Sequence, residues 1–380
     1  MARLFLLFHG RFPGEKAASL FAAKSAEAFA SQGFTVTVLV PKRKGVDARS
    51  ACEYFGVADN FSIKELPVKD YFSRPIPKKA AFSLSFLFFA LACRKFLKKE
   101  SREGDIFYSN ESLPLYAVSF LGRKTFYEMH DFPESKLGLF GMMVGRFDFI
   151  LIHNRWKVDK FKREFPRAKA KIICEPNAVQ LEEFDIPLSR EEARKRLGLP
   201  LDKKIAVYTG HLFGWKGADT LAEAAKKLSD EFKIVFVGGT ERDIASFKEK
   251  YGRLANVSIV GHKPHREIPV WQKAADLLVL PNTAKEDISK YYTSPMKLFE
   301  YMASGRPIIA SDIPSIREIV DEKTAILVKP DDPEALAEAI KKASDSDHSA
   351  MISESLARVR ERTWTKRSAR IMEFIQDEKA

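Results

Sequence analysis

The chain opens on an apolar run, Arg3–Phe8, which His9-Gly10-Arg11-Phe12-Pro13-Gly14 interrupts. From Lys16 to Ser31, Leu20, Ala23, Ala26 and Ala30 recur at helical spacing, and Gly33 ends the pattern. Thr35–Val40 is rich in β-branched residues and reads as a second, buried strand. Strand, glycine-containing turn, helix, strand is the βαβ unit of a parallel sheet.

The same order returns after residue 200. Strands are expected at Lys204–Tyr208, Lys233–Val237, Val257–Val260, Asp276–Leu280, Pro307–Ala310 and Ala325–Val328. Between them the pattern predicts helices at Ala218–Leu228, near Ile244–Tyr251, and at Ile268–Ala274, Ser294–Ser304, Ser315–Val320 and Pro333–Ala343. Gly210–Gly217 and Gly238-Gly239 supply the turns. Pro176-Asn177-Ala178-Val179 is turn chemistry before an acidic, proline-containing stretch that ends at Pro200. The expected fold is therefore α/β, with two doubly wound parallel-sheet domains facing each other across a cleft. Their bounds are residues 1–180 and 181–361.

A length of 380 residues agrees with two cores rather than one. Hydrophobic residues make up 45% and charged residues 30%, which excludes disorder as the main state. No run reaches the roughly 20 apolar residues of a membrane span, and Met1–Phe8 reads as a first strand rather than a leader. Cys52, Cys93 and Cys174 are too scattered for a disulfide framework or a zinc site, which suits reducing cytosol. Charge divides unevenly. Residues 1–180 hold 30 Lys and Arg against 18 Asp and Glu, whereas residues 181–380 hold 33 of each. The basic half is thus expected either to meet something anionic or to be plain solvated surface.

The most informative segment is Tyr292-Thr293-Ser294-Pro295-Met296-Lys297-Leu298-Phe299-Glu300-Tyr301-Met302-Ala303-Ser304-Gly305-Arg306-Pro307. Ser294 suits an N-cap and Pro295 the first helical position, so a helix begins there with its amides directed at an anion site. Lys297 and Glu300, three apart, share a face. A cation at the helix mouth and a carboxylate one turn in would suit a phosphate and a sugar hydroxyl. An ordinary capped helix with an ion pair fits the same residues.

This segment resembles the donor site of GT4-type retaining glycosyltransferases, which have the two-domain GT-B fold. Glu300–Pro307 is similar to their Glu-Ala-Met-Ala-x-Gly-x-Pro stretch. Other landmarks follow in the family's order. Tyr208-Thr209-Gly210 through Lys216-Gly217 resembles the loop with the diphosphate-binding lysine, and Phe236–Gly239 the next glycine turn. Ile259-Val260-Gly261 followed by Ala275–Pro281 resembles the base-binding loop and the strand after it. Glu175-Pro176-Asn177-Ala178-Val179 resembles the interdomain Asn-Gly-Val, and Glu128-Met129-His130-Asp131 the segment with the active-site histidine. The likeness is most specific over residues 204–330 and loosest over 50–125. It implies catalytic roles for His130, Lys216 and Glu300. It implies donor contacts by Gly14, His211, Gly239, Gly261, His262, Lys263, Thr293, Ser294, Pro295, Lys297 and Leu298. It also implies that a helix from about residue 362 to 380 packs back on the first domain. Two positions depart from the family. Tyr292 stands at the first carboxylate of the usual Glu-x7-Glu pair, and His211 stands near the usual arginine of the diphosphate loop.

The chemistry so implied is retaining transfer from a nucleoside-diphosphate sugar to a lipid-linked or cell-surface glycan acceptor, in glycan biosynthesis. The resemblance implies that no metal or other cofactor is needed, and Asp331-Asp332 reads as helix capping. A sugar-nucleotide epimerase and a silent sugar-nucleotide-binding subunit are the alternatives, the latter suggested by Tyr292. Nucleic acid is not an expected partner, because no recognised nucleic-acid module is present. Ser294-x-x-Lys297 lacks the Ser-Asp-Asn and Lys-Thr-Gly companions of penicillin-binding enzymes. His262-Lys263-Pro264-His265 lacks further ligands for a metal. Gly210–Gly217 fits neither the dinucleotide nor the Walker pattern.

Lys78-Lys79 and Arg94–Lys99 bracket the uncharged run Ala80–Cys93. As a helix these fourteen residues would span about 21 Å, short of a bilayer core of roughly 30 Å. The run reads as a core helix, as an interfacial helix, or as both, with aromatics partly inward and lysines toward anionic lipid. The expected location is the cytoplasm, peripheral on the inner face of the cell membrane.

Overall fold

The computed structural model describes residues 2–376 apart from 15, 70, 72–74, 134 and 136. Thirteen strands form two sheets among these residues, and every strand pairs in parallel.

The first sheet comprises β1 (Arg3–Leu7), β2 (Thr35–Pro41), β3 (Ser62–Leu66), β4 (Ile106–Ser109), β5 (Lys124–Met129), β6 (Phe149–Ile152) and β7 (Lys171–Cys174). Their order is β3-β2-β1-β4-β5-β6-β7. All residues of β4 and β6 are buried, as expected for strands covered by helices on both faces. Phe107, Tyr127, Ile150 and Ile152 join Phe89, Cys93 and Leu97 in one core cluster. The C-terminal helix Trp364–Gln376 belongs to this unit, where Trp364 meets Phe21 of the helix Ala17–Ser31 edge-on at 5.1 Å.

The second unit runs from Asn177 to Thr363. Its strands are β8 (Lys204–Thr209), β9 (Phe232–Val237), β10 (Val257–Gly261), β11 (Leu277–Leu280), β12 (Ile308–Ser311) and β13 (Ile326–Val328), ordered β10-β9-β8-β11-β12-β13. Gly217 has φ +72°, and a Cβ there would come within 1.7 Å of the Pro281 carbonyl oxygen. Only glycine lets the turn before the helix Ala218–Ala225 lie against the end of β11.

Four expectations change. The run Ala80–Cys93 is the middle of a 23-residue helix, Lys78–Glu100. Lys and Arg are good helix formers, so their charges do not end it. At about 1.5 Å per residue it is about 35 Å long, and by length and composition it could cross a membrane. Its Ala81, Ser85, Phe89, Ala90, Cys93 and Leu97 are nevertheless buried. Second, Ser294 does not cap a helix. The helix is Met296–Ala303 with Pro295 before it, and Ser294 Oγ instead accepts the Asn177 backbone N–H at 3.2 Å. Third, Asp332 caps Pro333–Ser344 through the Ala335 N–H, but Asp331 does not share that task. Asp331 sits at φ +57° and its carboxylate accepts from Thr283 Oγ1 and the Ala284 N–H. Last, the helix expected at Ser315–Val320 is one turn, Pro314–Arg317. A helix at Ser349–Val359 was not among those expected.

Candidate active site

All strands of the second sheet point one way, so their carboxyl ends share an edge. β8 and β11 are neighbours from which the strand order runs outward in both directions. Ligands of doubly wound sheets bind at the carboxyl ends beside such a switch point. The loop after β8 carries His211 and Lys216, and the segment after β11 leads into Met296–Ala303 with Lys297 and Glu300. Tyr301 ties the two together, because its hydroxyl accepts the Thr209 N–H at the end of β8 at 2.8 Å.

Two cations meet here. The Lys297 Nζ is buried, has no hydrogen-bond partner among the described residues, and sits 3.7 Å over the Tyr208 ring. Burial first, and then Lys216, hold its ammonium well below the usual lysine range, against the opposing pull of Glu300. Lys216 lies over the Trp215 and Phe213 rings at 5.2 and 5.7 Å. Burial pushes it down to about 8, although Glu300 and Asp243 act in the opposite direction. Such cations are costly to hold without an anion.

The remaining residues divide clearly. His211 stacks on Phe213 at 4.9 Å, and its Nδ1 lies 3.7 Å from Asp243. Burial and then Lys216 push its imidazole down, so near neutral pH it offers a neutral ring. Gly239 lies beyond β9 and Gly261 is the last residue of β10, both at positive φ, with His262 and Lys263 directly after Gly261. Thr293 and Pro295 are half-buried beside Ser294. Leu298 is wholly in the core, and its N–H donates to the Pro295 carbonyl at 3.0 Å. Gly14 belongs to the loop after β1 in the first unit.

Sequence reasoning passed over His265 as half of a metal decoy. Its Nε2 lies 3.1 Å from Glu300 Oε1, and its Nδ1 lies 3.6 Å from Glu183. The spacing of thirty-five residues left no local pattern to find this pair.

In the first unit, His130 follows β5 and packs edge-on against Phe21 at 4.5 Å. Its Nε2 is 3.4 Å from Glu128 Oε1, an oxygen also bonded by His153 Nε2 at 2.7 Å and Arg367 Nη2 at 2.6 Å. Burial alone would raise the Glu128 carboxyl. Arg367 and the two imidazoles outweigh it and hold it well below the usual range. Glu128, His130 and His153 are grouped closely enough for a metal. The guanidinium already on the shared oxygen makes the group an internal ion network. Lys157 Nζ donates to the His130 carbonyl at 2.6 Å and fixes the loop.

The family model described as glycosyl transferases group 1 matches residues 189–363, the stretch that builds the lysine pair. Residues 189–363 are thus similar to the glycosyl transferases group 1 family. A Bacillus subtilis relative named as a candidate teichuronic acid biosynthesis glycosyltransferase, TuaC, is 35% identical over 166 residues, 43% of this chain and 39% of its own. A D-inositol 3-phosphate glycosyltransferase of Xylanimonas cellulosilytica is 25% identical over 55% of this chain and 52% of its own. The chain thus spans about half or less of these curated relatives' lengths. The Anabaena protein Alr3699/HepE, solved with UDP and glucose, matches with a TM-score of 0.75 at 17% identity, over 99% of this chain and all of that one. Sucrose-phosphate synthase of Thermosynechococcus elongatus matches at 0.78 and 19% identity, over 99% of both chains. These structural likenesses show that the chain has the GT-B fold.

Proposed function

We propose that the protein is a GT4-type retaining glycosyltransferase that moves a sugar from a nucleoside-diphosphate sugar to a hydroxyl of a lipid-linked or cell-surface glycan. The observation that carries this reading is the buried, unpartnered Lys297 Nζ beside Lys216. In such a transfer the bond between the anomeric carbon and the diphosphate oxygen breaks, and the acceptor oxygen bonds that carbon on the same face. The acceptor proton passes to the departing diphosphate. Negative charge grows on the diphosphate as the bond breaks, and fixed cations aimed there stabilise the transition state more than the ground state. Lys216 and Lys297 would supply that charge, so no metal is required. Glu300, held by His265, would receive a hydroxyl of the donor sugar. His130 would hydrogen-bond the transferring sugar.

The relatives support the reading without defining it. Alr3699/HepE was solved with UDP and glucose, and TuaC is named for teichuronic acid biosynthesis. The helix Lys78–Glu100 supports a cytoplasmic enzyme peripheral on an anionic membrane. Its Leu84, Leu87, Phe88 and Leu91 are exposed, and Arg94, Lys95 and Lys98 continue that side.

The test is a thermal-shift screen of nucleoside-diphosphate sugars followed by turnover with the best donor. A ligand at 100 times its Kd should add about 2.7 kcal/mol of stability. Glu300→Ala should then lower turnover at least tenfold, about 1.4 kcal/mol of barrier. Absence of any nucleotide-dependent shift, or full turnover in Glu300→Ala, sinks the assignment.

A further inference from the structure

The first sheet has its own switch point, and His9, Arg43 and Glu111 there have no part in the proposed donor chemistry. β1 and β4 are neighbours, with β2 and β3 on one side and β5, β6 and β7 on the other. Along its carboxyl edge stand Arg43 beyond β2, His9 beyond β1, Glu111 beyond β4 and His130 beyond β5.

His9 acts as a prop. Its backbone N–H donates to Glu111 Oε2 at 2.7 Å, and its carbonyl accepts from Arg43 Nη2 at 2.7 Å. Its ring is taken up elsewhere, with Nε2 2.9 Å from Ser85 Oγ and Phe82, Phe86 and Phe89 at 5.4, 5.1 and 5.6 Å. Burial, then Arg43, pushes that imidazole down to about 4, so it is uncharged. The Glu111 N–H donates to Ser109 Oγ at 3.0 Å, which fixes the backbone. One carboxyl oxygen is therefore anchored from a neighbouring strand end. Among the described residues no hydrogen bond is recorded for the other, Oε1, and Glu111 as a whole is half-buried. Burial raises this carboxyl to about 8, against the His9 N–H and Arg43, so near neutral pH it both donates and accepts.

We propose that Glu111 is the acceptor-selecting residue, its carboxyl binding a hydroxyl of the sugar or polyol head of the acceptor. The inference rests on the glycosyl-transfer reading. Glu111 and His130 follow adjacent strands, whose spacing is about 4.8 Å. A hydroxyl on Glu111 therefore sits at the same sheet edge as the group that would touch the transferring sugar. Such a carboxyl suits hydroxyls and disfavours a phosphate at that point. Anionic groups of the acceptor would have to lie elsewhere.

Two probes separate free from lipid-linked heads: methyl β-D-glucopyranoside and n-octyl β-D-glucopyranoside. Saturation-transfer NMR with the full chain should show binding of both if the head alone is read, or of the octyl glucoside alone if an apolar tail is required. In either case Glu111→Ala should weaken binding at least tenfold, and Glu111→Gln, which keeps an acceptor for His9 and a group for the hydroxyl, should restore it to within about threefold. UDP-induced thermal shifts of the same variants report on the second unit. If UDP stabilises wild type and the variants alike while the glucosides fail, Glu111 fails and the donor reading stands. If UDP does nothing, the donor reading fails. Binding undiminished in Glu111→Ala, or no binding by wild type, overturns the proposal.

Discussion

Lys216→Met offers a test in which two measurements should move in opposite directions. An unfolded lysine titrates near 10.5, and burial pushes Lys216 down to about 8 in the fold. Below pH 8 both states carry the proton, and the folded state bears the whole penalty. Between pH 8 and 10.5 the folded state releases its proton first, so stability rises with pH. Each pH unit is worth about 1.36 kcal/mol, which makes the penalty at pH 7 about 3 kcal/mol. Methionine removes it but loses the contacts over Trp215 and Phe213, worth about 1 kcal/mol together. The net expectation is a gain of about 2 kcal/mol without nucleotide, or about 4–8 °C in Tm for a domain of this size. The gain should vanish toward pH 10.5. With UDP the sign reverses. At a concentration that adds about 2.7 kcal/mol to wild type, a hundredfold weaker variant gains only about 0.4 kcal/mol. Differential scanning fluorimetry with and without UDP at pH 7 and 10 reads both effects. A variant that is no more stable without UDP, yet keeps the full UDP increment, refutes the assignment of Lys216 as a cation held ready for diphosphate.

Other expectations are briefer. Glu111→Gln should raise stability at pH 8 by at most about 5 kcal/mol, and by little at pH 4.5, because a raised carboxyl costs stability as pH climbs from 4.5 to about 8. A Tm difference independent of pH would show that this carboxyl ionises normally. Turnover should survive excess EDTA, and complete loss restored by Mg²⁺ would contradict the proposed role of the two lysines. Charge reversal at Lys95, Lys98 and Lys99 should abolish co-sedimentation with anionic vesicles, and salt should weaken it in wild type. Equal partition of wild type to neutral vesicles would count against an electrostatic surface.

The strands of the second unit were legible to within a residue or two because a parallel sheet covered on both faces leaves continuous apolar runs between glycine turns. The helix Lys78–Glu100 was read nine residues too short, since its charged ends look like boundaries although lysine and arginine sustain a helix. Ser294 failed as a cap for a different reason. A partner 117 residues away, Asn177, claims both its hydroxyl and its carbonyl. The site shows the same division. Lys216, Lys297 and Glu300 stood out through a family resemblance, because their motifs are contiguous. His265 on Glu300 and His9 under Glu111 are pairs 35 and 102 residues apart. No periodicity records such pairs. They become visible only when the strand order brings their ends together.

That strand order also corrects what net charge suggested. The whole positive excess lies in residues 1–180, which points an anionic partner at the first half. Yet the carboxyl edge of the first sheet carries Glu111 and an ion network centred on Glu128. The electrically balanced half carries the two unneutralised lysines. Chemistry follows local desolvation: a buried lysine without a partner attracts a diphosphate more strongly than many solvated ones, because low dielectric strengthens the interaction and salt does not screen it. The surplus charge of the first half stands instead on surface such as the end of Lys78–Glu100, where Lys95, Lys98 and Lys99 are exposed beside leucines. Charges placed there act at the range of a membrane surface and contribute about 1 kcal/mol each. Under the proposed function, the first half's cations determine where the enzyme works, and the two lysines of the second determine which bond it breaks.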